Sequence, residues 1–141
     1  MPMLYALGPM TMPDRLFTLD EALALLPTVR QLLTEIQARR REMEERSAAL
    51  DRLLAATGGN GYLAADVTRA REALAQAAGQ LQRLMTDLDE TGAELKGIDE
   101  GLVDFRSRRE GRVVYLCWRL GEETISYWHE LDAGFAGRQP L

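Results

Sequence analysis

Leu50-Asp51-Arg52-Leu53-Leu54-Ala55-Ala56-Thr57-Gly58-Gly59-Asn60-Gly61-Tyr62-Leu63 is the stretch that decides the fold. Gly58-Gly59-Asn60-Gly61 separates two long runs with the same spacing. Upstream, Leu26, Val29, Leu33, Ile36, Arg40, Met43, Ser47, Leu50 and Leu54 recur in alternating steps of three and four. Downstream, Leu63, Val67, Ala70, Leu74, Ala77, Leu81, Leu84, Leu88, Thr91 and Leu95 do the same. A repeat near 3.5 keeps one seam facing a partner helix as the two supercoil. Each arm of about 35 residues would be about 50 Å long at the helical rise. A glycine-rich turn lets the arms fold back antiparallel and cover each other's seams. The spacing therefore predicts a helical hairpin over residues 19–97.

Two seam positions break the pattern. Arg40 and Ser47 stand where large apolar residues belong. Arg40 either lays its stem along a loose seam with its head in water, or meets a second subunit or a polar partner. Ala70, Ala73, Ala77 and Ala78 are small enough for close helix approach, or leave room for a third helix.

Upstream of the hairpin, Thr18 and Glu21 form a capping box, with Asp20 and Glu21 at the positive end of the helix dipole. Pro27 falls inside the helical pattern and predicts a kink, or a separate short helix over residues 19–26. Residues 1–15, with Pro2, Gly8 and Pro13, read as a flexible arm. Residues 39–46 carry mixed charge and read as a solvated helix face. Thr91-Gly92 and Lys96-Gly97 punctuate the end of the second arm, with Gly97 as a candidate C-terminal cap.

After Ile98 the period changes from 3.5 to 2. Leu102-Val103-Asp104-Phe105 is a short strand, residues 106–111 a polar turn, and residues 113–120 a strand rich in β-branched and aromatic side chains. Gly121-Glu122 suits a two-residue hairpin turn, and residues 124–131 return. That predicts a three-stranded antiparallel sheet over residues 102–131 and a tail over 132–141. Across such a turn Leu120 faces Glu123, Trp118 faces Ile125, Leu116 faces Tyr127 and Val114 faces His129. His129 and Tyr127 then lie on the core face, with Asp104, Cys117 and Trp128 on the other. A slip of one residue would exchange every assignment.

The composition narrows the function. The chain has 141 residues, the size of one domain, here residues 16–141 after the arm. A net charge of −5 and a pI near 5.0 argue against nucleic-acid or anionic-membrane binding. The single cysteine, Cys117, excludes an internal disulfide and a cysteine-rich zinc site. No apolar run approaches the roughly 18 residues of a membrane span. Residues 1–12 lack the basic and apolar regions of a signal peptide, so the expected location is the cytoplasm. A long hairpin has much surface for its volume and cannot bury a deep core alone. A homodimer or another protein partner is expected.

The clearest chemical constellation is Trp128-His129-Glu130-Leu131-Asp132. His129, Glu130 and Asp132, completed by Asp104, Glu94 or Glu123, could ligate a divalent metal ion. The expected register puts His129 and Asp104 on opposite faces, which favours a hydrogen-bonded core histidine instead. The same register separates Cys117 from His129, and adjacent strand residues such as His129 and Glu130 diverge. No phosphate loop or nucleophile elbow is present, so no catalytic set is assigned. Arg106, Arg108, Arg109 and Arg112 form a basic turn that reads as solvated or as a grip for an acidic group. Phe135 in the tail plugs the domain's own core or a neighbour's.

Several segments together resemble a known family. These are Phe17-Thr18-Leu19-Asp20-Glu21-Ala22 with Leu25-Leu26-Pro27, Glu94-Leu95-Lys96, and Gly101-Leu102-Val103-Asp104-Phe105. The closing motifs are Val114-Tyr115-Leu116-Cys117-Trp118-Arg119-Leu120-Gly121-Glu122 and Tyr127-Trp128-His129-Glu130-Leu131-Asp132-Ala133-Gly134-Phe135-Ala136-Gly137-Arg138. The pattern is similar to a family of small bacterial proteins known only as a domain of unknown function. The likeness runs from Phe17 onward and implies a relative, not a reaction.

The sequence thus predicts an α+β protein, a coiled-coil hairpin closed by a small antiparallel sheet. The expected function is a non-catalytic, self-associating or protein-binding module without cofactor, with Arg40, Trp128, Phe135 and Arg138 as interaction candidates. The alternative is a divalent-metal-binding protein, with hydrolytic chemistry as one option, centred on His129.

Overall fold

A computed structural model describes residues 15–57 and 63–141. Two helices lead: α1 (Leu19–Thr57) and α2 (Ala64–Glu90). Five strands follow: β1 (Glu94–Gly97), β2 (Leu102–Arg109), β3 (Arg112–Arg119), β4 (Tyr127–His129) and β5 (Gln139–Pro140). They form one antiparallel sheet in chain order. The expected glycine turn at residues 58–61 lies outside the described residues, as does the arm up to residue 14.

The capping box forms as read. The Thr18 hydroxyl accepts from the Glu21 amide at 3.1 Å, and the Glu21 carboxylate accepts from the Thr18 amide at 2.9 Å. Pro27 neither splits nor ends the helix, and α1 runs unbroken through it. The exposed Pro27 ring lies on the solvent side, while Ala22, Leu26 and Val29 around it are pinned in the core. Burial of that face outweighs one lost backbone hydrogen bond. Helix α2 stops earlier than expected, at Thr91-Gly92 rather than at Gly97. The Thr91 amide and hydroxyl both return to the Leu88 carbonyl, and Gly92 takes φ +93°. Gly97 lies instead beside a bulge in β1.

The sheet has five strands where three were expected. Residues 94–97 add one edge and the supposed tail adds the other, with Gln139 opposite Trp128 and Pro140 opposite Tyr127. The turn between β2 and β3 is shorter than residues 106–111. It is Glu110-Gly111, both at positive φ (52° and 82°), which suits the twist of a tight hairpin.

One core joins the helices' proximal halves to one sheet face. Phe17, Ala22, Leu26, Val29, Leu33 and Ile36 from the start of the chain meet Leu81 and Leu88 of α2. Val103, Phe105, Val114, Leu116, Trp118 and Trp128 close it from the sheet. The Phe17 ring meets Phe105 edge-on at 5.4 Å, and the Phe17 amide donates to the Arg106 carbonyl at 2.7 Å. Arg15 stacks on Phe17 and donates to the Thr91 carbonyl at 2.6 Å.

Gly101 packs closely against Leu120, just past the end of β3. It sits at φ +71°, and a Cβ there would lie 2.8 Å from Cβ of Leu120. Its carbonyl accepts from the Leu120 amide at 2.8 Å. Gly101→Ala is therefore expected to cost about 1–3 kcal/mol in chemical denaturation, through left-handed strain plus the clash. A loss below a few tenths of a kcal/mol would refute that reading.

Candidate buried polar site

The register of β4 differs by one residue from the expected one. Tyr115 faces His129, Leu116 faces Trp128 and Cys117 faces Tyr127. The turn falls one residue earlier than expected, centred on Leu120-Gly121, with the Glu122 amide donating to the Arg119 carbonyl at 3.0 Å. The strand, however, does not resume directly. The Trp118 indole N–H donates to the Glu122 carbonyl at 3.0 Å, and the Glu122 carboxylate accepts from the Arg119 amide at 2.8 Å. These bonds hold the chain in a longer loop, and β4 begins only at Tyr127. Trp128 therefore enters the core and His129 turns to the opposite face, reversing the expected assignment.

That reversal brings three chemically distinctive side chains together. Asp104 lies opposite Cys117 on β2 and β3, and His129 on β4 reaches them diagonally. One polar atom from each lies within 4.8 Å of the other two. All three are buried although they face away from the helices: Asp104 is 3 % exposed, Cys117 1 % and His129 2 %. Tyr115 lies beside His129, their ring centroids 5.5 Å apart. Its hydroxyl donates to Glu94 at 2.8 Å and accepts from Arg106 at 2.9 Å, while the Lys96 ammonium stands 4.3 Å over its ring. At the other flank, Arg138 stacks on Tyr127 and donates to Glu122 at 2.7 Å and to the Cys117 carbonyl at 3.3 Å.

The hydrogen bonds fix where protons sit. His129 Nδ1 is 2.7 Å from the Glu130 carbonyl, which only accepts, so Nδ1 carries hydrogen. Nε2 is 3.1 Å from Asp104 Oδ2. That contact needs one proton between them, held on either partner. Burial holds the Asp104 carboxyl above the ordinary carboxylate range, against the opposing pull of His129. Burial and then the neighbouring Asp104 push the Cys117 thiol up to about 12. A thiol so held is a poor nucleophile, and both nitrogens of His129 are already engaged, so the trio is not a catalytic cysteine–histidine pair. Asp104 Oδ1 is buried with no hydrogen-bond partner.

The other candidates lie elsewhere. Glu130 points away and receives both nitrogens of an Arg112 fork, at 3.1 and 2.6 Å. Asp132 and Glu123 are exposed. Glu94 is engaged by Tyr115, Lys96 and Arg106. The basic turn does not converge on one point: Arg106 pairs with Glu94, Arg112 with Glu130, and Arg109 stacks on Trp128 at 4.8 Å. Arg40 is paired with Glu44 one turn along α1. Trp128 is 7 % exposed, inside the core; Phe135 stays exposed beneath Arg138. Cys117 joins the site through the changed register. One sequence signal pointed that way: only this parity buries the large apolar Trp128 in place of His129.

No curated protein and no solved structure matches the chain. A family does match, over residues 15–141, under the description "Uncharacterized conserved protein (DUF2203)". The match covers both helices, all five strands and the buried trio, and the chain belongs to that family.

Proposed function

We propose that the protein is a self-associating module in which two copies pair through the distal halves of their helical hairpins. One observation carries this reading. The core stops partway up the hairpin, and among the described residues none beyond Ile36 in α1 or before Ala77 in α2 is buried. The heptad side chains continue past that point, with Leu50, Leu53, Val67 and Leu74 all only half-buried. Where no sheet backs them, the two helices leave these seam side chains partly open to solvent.

The occupant of that uncovered face is a second copy. Residues 39–76 hold seven arginines and six acidic residues, interspersed, although the whole chain is net −5. Such a face is close to neutral and can meet itself antiparallel without charge repulsion. Ala70 and Ala73 on α2 allow close approach. Among the described residues no helix is long and apolar enough to cross a membrane. A reducing, cytoplasmic setting suits the one cysteine, which is a buried thiol.

Sedimentation equilibrium tests the reading. The protein should be a dimer at micromolar concentration, and Leu50→Glu with Leu74→Glu should weaken association at least tenfold. The variant should keep its unfolding midpoint extrapolated to low concentration, because neither residue belongs to the core. A monomeric wild type, whether or not another protein binds the same face, would overturn self-association.

A further inference from the structure

We propose that Asp104, Cys117 and His129 form a three-ligand zinc site on the sheet face opposite the helices. The donors are one thiolate sulfur, one imidazole nitrogen and one carboxylate, a mixture that suits Zn²⁺ and not the oxygen-seeking Mg²⁺ or Ca²⁺. They come from three neighbouring strands, β2, β3 and β4, so the backbone positions them rigidly. The second ring nitrogen of His129 already donates to a backbone carbonyl, the arrangement that orients a metal-binding histidine and fixes its tautomer.

The orphaned oxygen supplies the independent observation. Asp104 is 97 % buried, and its Oδ1 has no hydrogen-bond partner in a setting where almost every buried polar atom has one. An ion held by Asp104, Sγ of Cys117 and Nε2 of His129 would give that atom its partner, the carboxylate serving as one of three protein corners of the tetrahedron.

Distances and charge agree. Zinc–ligand bonds of about 2.0–2.3 Å on a tetrahedron put donors about 3.3–3.8 Å apart. The His129–Asp104 contact is 3.1 Å, and the widest separation in the trio is within 4.8 Å. Binding therefore asks for a contraction of about 1 Å at most, within side-chain reach. The exchange is electroneutral. Two protons leave, one from the Cys117 thiol and one from between His129 and Asp104, and one Zn²⁺ enters. A buried cluster that is neutral before and after incurs little Born cost. The ion takes the place of protons already there, so no cavity is needed.

Cobalt titration of chelator-treated protein is the test, because Co²⁺ takes the same site and is visible. One Co²⁺ per chain should bind, with a thiolate-to-cobalt charge-transfer band, tetrahedral visible absorption and release of two protons. Equimolar Zn²⁺ should bleach the spectrum. Cys117→Ser, nearly isosteric, should lose the charge-transfer band and at least tenfold in zinc affinity while keeping wild-type circular dichroism. If Cys117→Ser fails to fold, the wild-type band decides alone. Absence of saturable uptake, or binding without the thiolate band, would overturn the site, as would unchanged affinity in Cys117→Ser.

Discussion

Leu33→Asp should abolish cooperative folding. Leu33 is fully buried on α1, between Val29 and Ile36 and within the cluster that joins both helices to the sheet. Removing a buried leucine side chain alone costs about 2–5 kcal/mol. An unpaired carboxylate there adds several more, or forces uptake of a proton. A domain of this size has about 5–15 kcal/mol of stability to lose. The expected readout is loss of near-ultraviolet circular dichroism and of a sharp thermal transition. A cooperative transition within a few degrees of wild type would mean that the core does not close around α1. Leu50→Asp supplies the contrast. Its position is half-exposed and outside the cluster, so in the monomer the change should cost less than about 1 kcal/mol.

His129→Ala should cost about 3–5 kcal/mol in metal-free protein. The imidazole is 2 % exposed, and it bridges Asp104 Oδ2 and the Glu130 carbonyl. Without it, the buried carboxyl would lose its one strong hydrogen-bond partner and keep only the weakly donating Cys117 thiol beside it. The penalty arises from the group left behind as much as from the bond removed. Asp104→Ala combined with His129→Ala should therefore cost less than the two single changes added together, by at least 1 kcal/mol. Strict additivity in urea denaturation would show that the two side chains do not depend on each other. Chelator in every sample separates this coupling from any effect of a bound ion.

The helical half of the fold was legible because its signals are local. Thr18 with Glu21 marks a start within one turn, and the step of three and four is written along each arm. The separate helix expected before Pro27 does not form, and that reading weighs the backbone alone. What keeps α1 continuous there is burial against residues of α2 and the sheet, which no local window contains. The strands β2 and β3 were legible from alternation, but the edges were not. Glu94–Gly97 is too short, and Gln139–Pro140 too poor in strand formers, to announce themselves.

The site failed on one parity. Gly121 suggested a two-residue turn at Gly121-Glu122, but the turn is centred on Leu120-Gly121, and bonds from Trp118 and Arg119 to Glu122 prolong the loop beyond it. Half the reading of the sheet's faces depended on that count. Asp104 and His129 were both recognised as chemically notable and were held apart only by the assumed register. Cys117 was dismissed for the same reason.

The backbone bond from Phe17 to Arg106 has a consequence for how the molecule is made. It ties residues roughly ninety positions apart, and contacts that distant close late in folding. As the chain leaves the ribosome, α1 emerges before α2 and the sheet, and α2 can zip against it once made. The proximal stripe of α1, from Ala22 to Ile36, is covered only in part, by Leu81 and Leu88 of α2, until the strands carrying Phe105, Leu116 and Trp128 have been synthesised. Helix α1, made before the rest of this core, is thus the element that stays sticky longest, and its protection during synthesis depends on strands made roughly seventy residues or more later.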